Sequence, residues 1–201
     1  MMKRLLYIAT AAMLAFFAAA AHAQQLSLPQ ISQYLNQLQT AQGGFTQINQ
    51  DGTLSTGQIF IKRPGRIRFE YSPPNNALVL ASGGQLAVFD PRSNVAPDRF
   101  PLNQTPLGII LRDNVDLTRE RMVTNTTTDG TTTTITAQDP DHPQYGNIQL
   151  VFTANPDALR KWIVTDEFGT QTTVILNDLE SGGSIRDHKF SIITEMRDRG
   201  F

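Results

Sequence analysis

From residue 45 to residue 177 the chain alternates apolar and polar positions in short runs, and nearly every run ends in a turn signal. Residues 45–50 and 57–62 are such runs, separated by Asp51-Gly52. Residues 66–71 alternate without a break. Successive strand residues point to opposite faces, so Ile67, Phe69 and Tyr71 share one side and Arg66, Arg68 and Glu70 the other. Residues 77–81 and 85–90 flank Ser82-Gly83-Gly84, a hairpin signal. The threonine-rich runs 124–128 and 131–136 bracket Asp129-Gly130, the strongest short hairpin cue. Residues 147–153, 161–167 and 170–177 complete the set, the last two joined at Phe168-Gly169. Strands this closely spaced, with hardly a helix between them, predict an antiparallel sheet or barrel.

Two segments carry a helical pattern instead. Ser27 and Pro29 are start signals, Ile31, Tyr34, Leu35 and Leu38 recur at helical spacing, and Gly43-Gly44 reads as the stop. In Thr105-Pro106-Leu107-Gly108-Ile109-Ile110-Leu111 a cap residue precedes a proline and an apolar run. That segment is too short to be stable alone, so it must lie on something apolar.

One residue sits awkwardly in the strand pattern. Counting by twos from Ile59 through Ile61 puts Arg63 on the apolar side, just before a Pro64-Gly65 turn expected to be type II. A guanidinium has five donors and does not lose its charge. Either the parity breaks at the turn and Arg63 faces water beside Glu70 or Asp51, or it turns inward and reaches carbonyl groups at the end of the 106–111 helix. In the second case it is a latch on a lid. Ile and Leu along curved strands either fill one core or line a cavity suited to acyl chains.

The first 23 residues stand apart. Lys3 and Arg4, an apolar run over residues 5–20, and Ala21-His22-Ala23 match a cleaved signal peptide. An uncleaved membrane anchor is the alternative, and the short basic region and the A-x-A site favour removal. A single domain is then expected over residues 24–201. Without Lys3 and Arg4 the balance is 15 basic to 18 acidic residues, which argues against a nucleic-acid binder with its basic stripe. There is no cysteine, so the fold has no disulfide, and thiol catalysis and thiolate zinc sites are excluded.

Catalytic machinery is missing. His142 and His188 stand far apart and belong to no metal-ligand spacing; His142, between prolines, reads as a surface turn. Asp166 and Glu167 are adjacent in a strand and so face opposite ways. There is no nucleophile elbow and no phosphate loop. No enzyme, metal or cofactor is expected.

Four motifs in order then resemble a known family: Phe45-Thr46-Gln47; Gly57-x-Ile59-x-Ile61-Lys62-Arg63-Pro64-Gly65-x-x-Arg68-Phe69-x-Tyr71-x-x-Pro74; Ser82-Gly83-Gly84-x-Leu86-x-x-Phe89-Asp90; and Thr105-Pro106-Leu107-x-x-Ile110-Leu111. Their order and spacing are similar to those of the outer-membrane lipoprotein carrier family, LolA, over residues 28–179. The resemblance implies an incomplete, strongly curved antiparallel β-barrel whose hydrophobic cavity is covered by short helices. It implies a monomeric periplasmic chaperone that takes mature lipoproteins from an inner-membrane ABC exporter, shields their acyl chains, and delivers them to an outer-membrane acceptor. Arg63 matches the arginine that bonds the family's lid. Ile59, Ile61, Ile67, Phe69, Tyr71, Leu86 and Val88 are the cavity candidates, and Pro106, Leu107, Ile110 and Leu111 the lid candidates. A binding module or sensor for another amphiphilic lipid is the competing expectation. Two departures stand out: Ile67 and Phe69 replace bulkier aromatics, and the chain beyond Leu179 matches poorly.

Overall fold

The computed structural model describes residues 25–119 and 121–201; the expected signal segment lies outside them. A helix, α1 (Leu28–Gln37), leads into a meander of β1 (Thr40–Ile48), β2 (Leu54–Lys62), β3 (Arg66–Tyr71), β4 (Leu78–Ser82), β5 (Gln85–Phe89) and β6 (Asp98–Pro101). After α2 (Leu107–Ile110) comes a second meander: β7 (Val123–Thr128), β8 (Thr132–Gln138), β9 (Asn147–Thr153), β10 (Ala158–Thr165) and β11 (Gln171–Ser181). A final helix, α3 (Ile192–Asp198), closes the described chain.

β11 returns to pair antiparallel with β1. The two meanders thereby fuse into one sheet of order β6-β5-β4-β3-β2-β1-β11-β10-β9-β8-β7. β6 and β7 do not pair with each other, so the sheet stays open. It curls strongly nonetheless: Phe45, Ile59 and Ile67 on one wing share a single buried cluster with Ile135, Leu150 and Trp162 on the other. Ile31 and Leu35 of α1 and Ile109 and Ile110 of α2 enter the same cluster. α1 and α2 thus cover the concave side, α1 through its apolar stripe and α2 through Ile109 and Ile110.

The glycine pair at 43–44 does not end α1, as the pattern suggested. Both residues lie within β1, at a bulge against β11. A Cβ on Gly43 would stand 2.9 Å from the carbonyl oxygens of Asn177 and Asp178. Gly43 thus permits the close approach of β11 at the bulge, whereas a Cβ on Gly44 would meet Asn177 at an ordinary 3.5 Å, and α1 stops earlier, at Leu38 (φ −74°, ψ 70°).

β6 and α3 were not foreseen. Arg99 and Pro101 disguise β6 as a loop. The convex side of β4 and β5 is also apolar: Leu78, Leu80, Ala87 and Phe89 are buried there against Ile185, Phe190 and Ile192 of the C-terminal segment. That segment is a strap across the back of the sheet. Leu78-Val79-Leu80-Ala81 hinted at it, since a continuous apolar strand is buried on both faces.

The core leaves little slack where β1, β2 and β3 meet. A Cβ on Gly57 would collide with the Glu70 carbonyl oxygen and lie 2.7 Å from the Phe45 ring. Gly57→Ala is therefore expected to cost about 1–3 kcal/mol by overpacking, seen as a lower urea midpoint with an unchanged slope.

Candidate functional site

The site grows from the hairpin between β2 and β3. Lys62 and Arg66 are the register pair that closes it, leaving Arg63, Pro64 and Gly65 as the loop, with Gly65 at φ 71°. Arg63 follows Ile59 and Ile61 inward and is only 5% exposed. Its guanidinium donates to the Leu35 carbonyl in the last turn of α1 and to the carbonyl of Arg112, just past α2. It also reaches Asn36 Oδ1 at 3.4 Å and the Asp113 carbonyl at 3.5 Å. The loop backbone adds two more bonds: Arg63 N–H donates to the Gln39 carbonyl and Gly65 N–H to the Leu111 carbonyl, each at 2.8 Å. All these carbonyls lie at or beyond helix C-termini, where intrahelical donors run out. One three-residue loop thus ties down both covering helices.

Asn36 completes the tie. Its Nδ2 donates to the Val115 carbonyl at 2.9 Å and its Oδ1 accepts from Val115 N–H at 2.9 Å. One turn earlier Ser32 Oγ accepts from Leu117 N–H at 3.0 Å. The segment from α2 to β7 is thereby bound edge-on to α1. Neither Ser32 nor Asn36 was singled out from the sequence. The signal was their spacing of four, which sets two polar groups in a stripe beside Ile31 and Leu35.

Glu70 and Asp51, the outward alternatives for Arg63, are engaged elsewhere. Glu70 accepts from Arg68 at 2.6 Å and Asp51 from Thr53. Burial pushes the guanidinium's pKa down, while the Asp113 carboxylate opposes that shift. The Nε of Arg63 is buried and has no hydrogen-bond partner among the described residues. Hydrogen bonds from a charged donor contribute about 1.5–3 kcal/mol each, but desolvating the charge costs several kcal/mol. The net hold is modest, because neutral carbonyls supply most of the acceptors.

Ile59, Ile61, Ile67 and Phe69 are buried in the concave cluster, with Tyr71 and Leu86 partly buried against it. Val88 shares Leu86's face, opposite Val79, but stands outside that cluster and is half-exposed. Ile110 and Leu111 are in the cluster and Leu107 packs on it, and Pro106, also buried, precedes the helix. The opposite wall, with Trp162 at 1% and Phe152 at 0% exposure, was not anticipated as part of the site. A cavity of about 800 Å³ opens beside α2, between Gly65, Thr105, Pro106, Asp139 and His142. Its lining mixes these polar groups with Leu102, Ile109 and Leu111. His142 stacks on Tyr145 there, ring centroids 4.9 Å apart.

This architecture can be set beside known proteins. The family model described as outer membrane lipoprotein carrier protein LolA matches residues 36–193. The chain belongs to the LolA family. The match continues past Leu179 into the strap, so the C-terminal part belongs to the family pattern despite its weak motif resemblance. An outer-membrane lipoprotein carrier protein of Cupriavidus necator is 26% identical over 192 residues, covering 89% of each chain. One of Pseudomonas entomophila is 22% identical over 186 residues, covering 88% of each. A solved domain from Vibrio parahaemolyticus, described as a putative outer membrane lipoprotein-sorting protein, shares the fold. Its TM-score is 0.52 at 9% identity, over 83% of this chain and 96% of that one.

The inner wall also holds a polar pair: Tyr71 Oη donates to Gln47 Oε1 at 2.6 Å. Burial pushes the Tyr71 phenol up to about 12, with the Gln47 bond opposing. An unfolded tyrosine ionises near pH 10. Tyr71 therefore contributes stability that is whole below about pH 10 and is lost as pH rises towards about 12. Urea unfolding should lose about 1 kcal/mol more between about pH 9 and pH 11 in the wild type than in Tyr71→Phe. Parallel pH profiles for the two proteins would contradict this.

Proposed function

We propose that this chain is a periplasmic lipoprotein carrier. It shields the acyl chains of mature lipoproteins between an inner-membrane ABC exporter and an outer-membrane acceptor. The observation that carries the proposal is the buried Arg63, which holds α1 and the end of α2 against an apolar interior through main-chain carbonyls. Family membership supports the same role. Residues 1–23 are the export signal and residues 24–201 one carrier domain, working as a monomer. No bond is made or broken in the cycle, so the protein is not an enzyme and needs no cofactor.

The mechanism is a competition between two occupants of one interior. In the closed form Ile59, Ile61, Ile67 and Phe69 pack against Leu107, Ile110 and Leu111, and Arg63 latches the lid. Tyr71, Leu86 and Val88 extend the same wall toward the rim. An entering acyl chain displaces the lid and gains about 0.8 kcal/mol per buried CH₂. What it must overcome is the latch and the packing of the two helices. A latch made of carbonyl acceptors breaks without stranding a carboxylate partner, so the lid can open and shut again. Where closure is favoured by about 1 kcal/mol, cargo affinity is lowered about fivefold, and release at the outer membrane becomes correspondingly easier.

Arg63→Leu removes that competition. The protein recovered from the periplasm should hold triacylated lipoprotein in the wild type and about fivefold more, released poorly, in Arg63→Leu, as read by mass spectrometry. Free lipid alone on both proteins would point instead to a binding module for another amphiphile.

A further inference from the structure

On the outer side of the same hairpin a second set of contacts grips the residues that flank Arg63. Lys62 and Arg66 close the hairpin as register partners. Their side chains leave the convex face, as do those of Phe60 and Arg68. One oxygen of Asp187, Oδ1, accepts from Lys62 Nζ at 2.6 Å and from Arg66 Nη1 at 2.8 Å. Lys62 Nζ also donates to the Ile185 carbonyl at 2.8 Å, and Arg66 Nε to the Lys62 carbonyl at 3.2 Å. Between the two clamped residues only the three-residue loop remains.

Asp187 sits on a strap that is anchored without it. Phe190 is 1% exposed and Ile185 6% exposed in the convex cluster. Arg68 donates to Glu195 at 2.9 Å and to the Lys189 carbonyl at 3.0 Å. The Asp187 side chain itself is 74% exposed. An exposed, screened ion pair is a weak contributor to global stability. It can still bias a local opening, because such events lie far below the global unfolding free energy. The contact is thus misplaced as a fold-holder and well placed as an adjuster of one loop.

We propose that Asp187 is a positioning residue for Arg63. By clamping both closing residues of the hairpin from outside, the C-terminal strap holds the loop in the one arrangement that aims the guanidinium at the two helix ends. This rests on the proposed role of Arg63 as the latch. Loosening the clamp frees the loop, and the lid lets go more often. The strap and the lid, on opposite faces of the sheet, are then coupled through a single turn.

The loop reports on itself through two amides, Arg63 N–H bonded to Gln39 and Gly65 N–H bonded to Leu111. Hydrogen exchange at these two sites, followed by NMR on the cargo-free chain at low salt, should be about two- to fivefold faster in Asp187→Asn. Asp187→Glu should restore the slow rate. Raising the salt should speed the wild type towards Asp187→Asn and leave that variant unchanged. The Glu195 amide, bonded within the strap to the Ser191 carbonyl, should exchange alike in all three proteins. Equal rates at Arg63 and Gly65 in wild type and Asp187→Asn would overturn the proposal. So would acceleration spread equally to Glu195, which means the strap has detached. Phe190→Ala gives an independent check: if it frees the Glu195 amide while Arg63 and Gly65 stay slow, strap and latch are uncoupled. None of these rates depends on cargo. A chain that carries no lipoprotein still reveals whether strap and loop are coupled, and the Arg63→Leu cargo experiment stands or falls apart from it.

Discussion

A positive charge buried among main-chain carbonyls governs this structure. The concave wall of the sheet is apolar and so are the inward stripes of α1 and α2, but burial has no direction and does not say where a short helix must sit. Arg63 supplies the direction. Its bonds, together with those of the Gly65 amide, end on the C-terminal carbonyls of both helices, the groups a helix cannot satisfy by itself. The four-residue α2 has almost no stability of its own. It persists as part of an assembly whose other members are a loop and the side of another helix. Asn36 and Ser32 make that assembly a sheet-like seam between α1 and the segment before β7.

Much of this was legible in the chain. Strands β3 and β9 occupy the residues their patterns mark, and the helix expected over 106–111 is there, one residue shorter at each end. The two-residue period from Ile59 leads Arg63 to the inner face, where it is buried. Its partners were another matter. The 106–111 end was visible as a helix terminus, whereas the Leu35 carbonyl on α1 was not. A carbonyl has no residue type, so a contact to one leaves no mark in the sequence. The Gly43-Gly44 error has a related cause. Two glycines beside a helix resemble a stop, and only the approach of β11 shows that the missing side chain at Gly43 makes room for the paired strand.

The strap shows a third kind of illegibility. Its apolar anchors, Ile185, Phe190 and Ile192, fall at intervals of five and two among charged and polar residues, so no period announces them. Their partners on β4 and β5 lie about a hundred residues earlier in sequence. Arg66, Arg68 and Glu70 look like a solvated strand face from their alternation, yet each bonds residues of the strap or a neighbour that does. The sheet therefore carries two unlike faces through its first wing: a concave side of aliphatic and aromatic groups, and a convex side where an apolar patch adjoins a network of ion pairs.

The two unpaired edges of the sheet carry a geometric consequence. In a closed barrel, strand number and stagger set the circumference, and the bore is constant. Here β6 and β7 never meet, and the chain between them runs through α2 and the segment that Arg63 and Asn36 hold. The contacts of Arg63 and Asn36 thus stand in for the missing ladder between β6 and β7, and they set how far apart the two wings lie and so the girth of the interior.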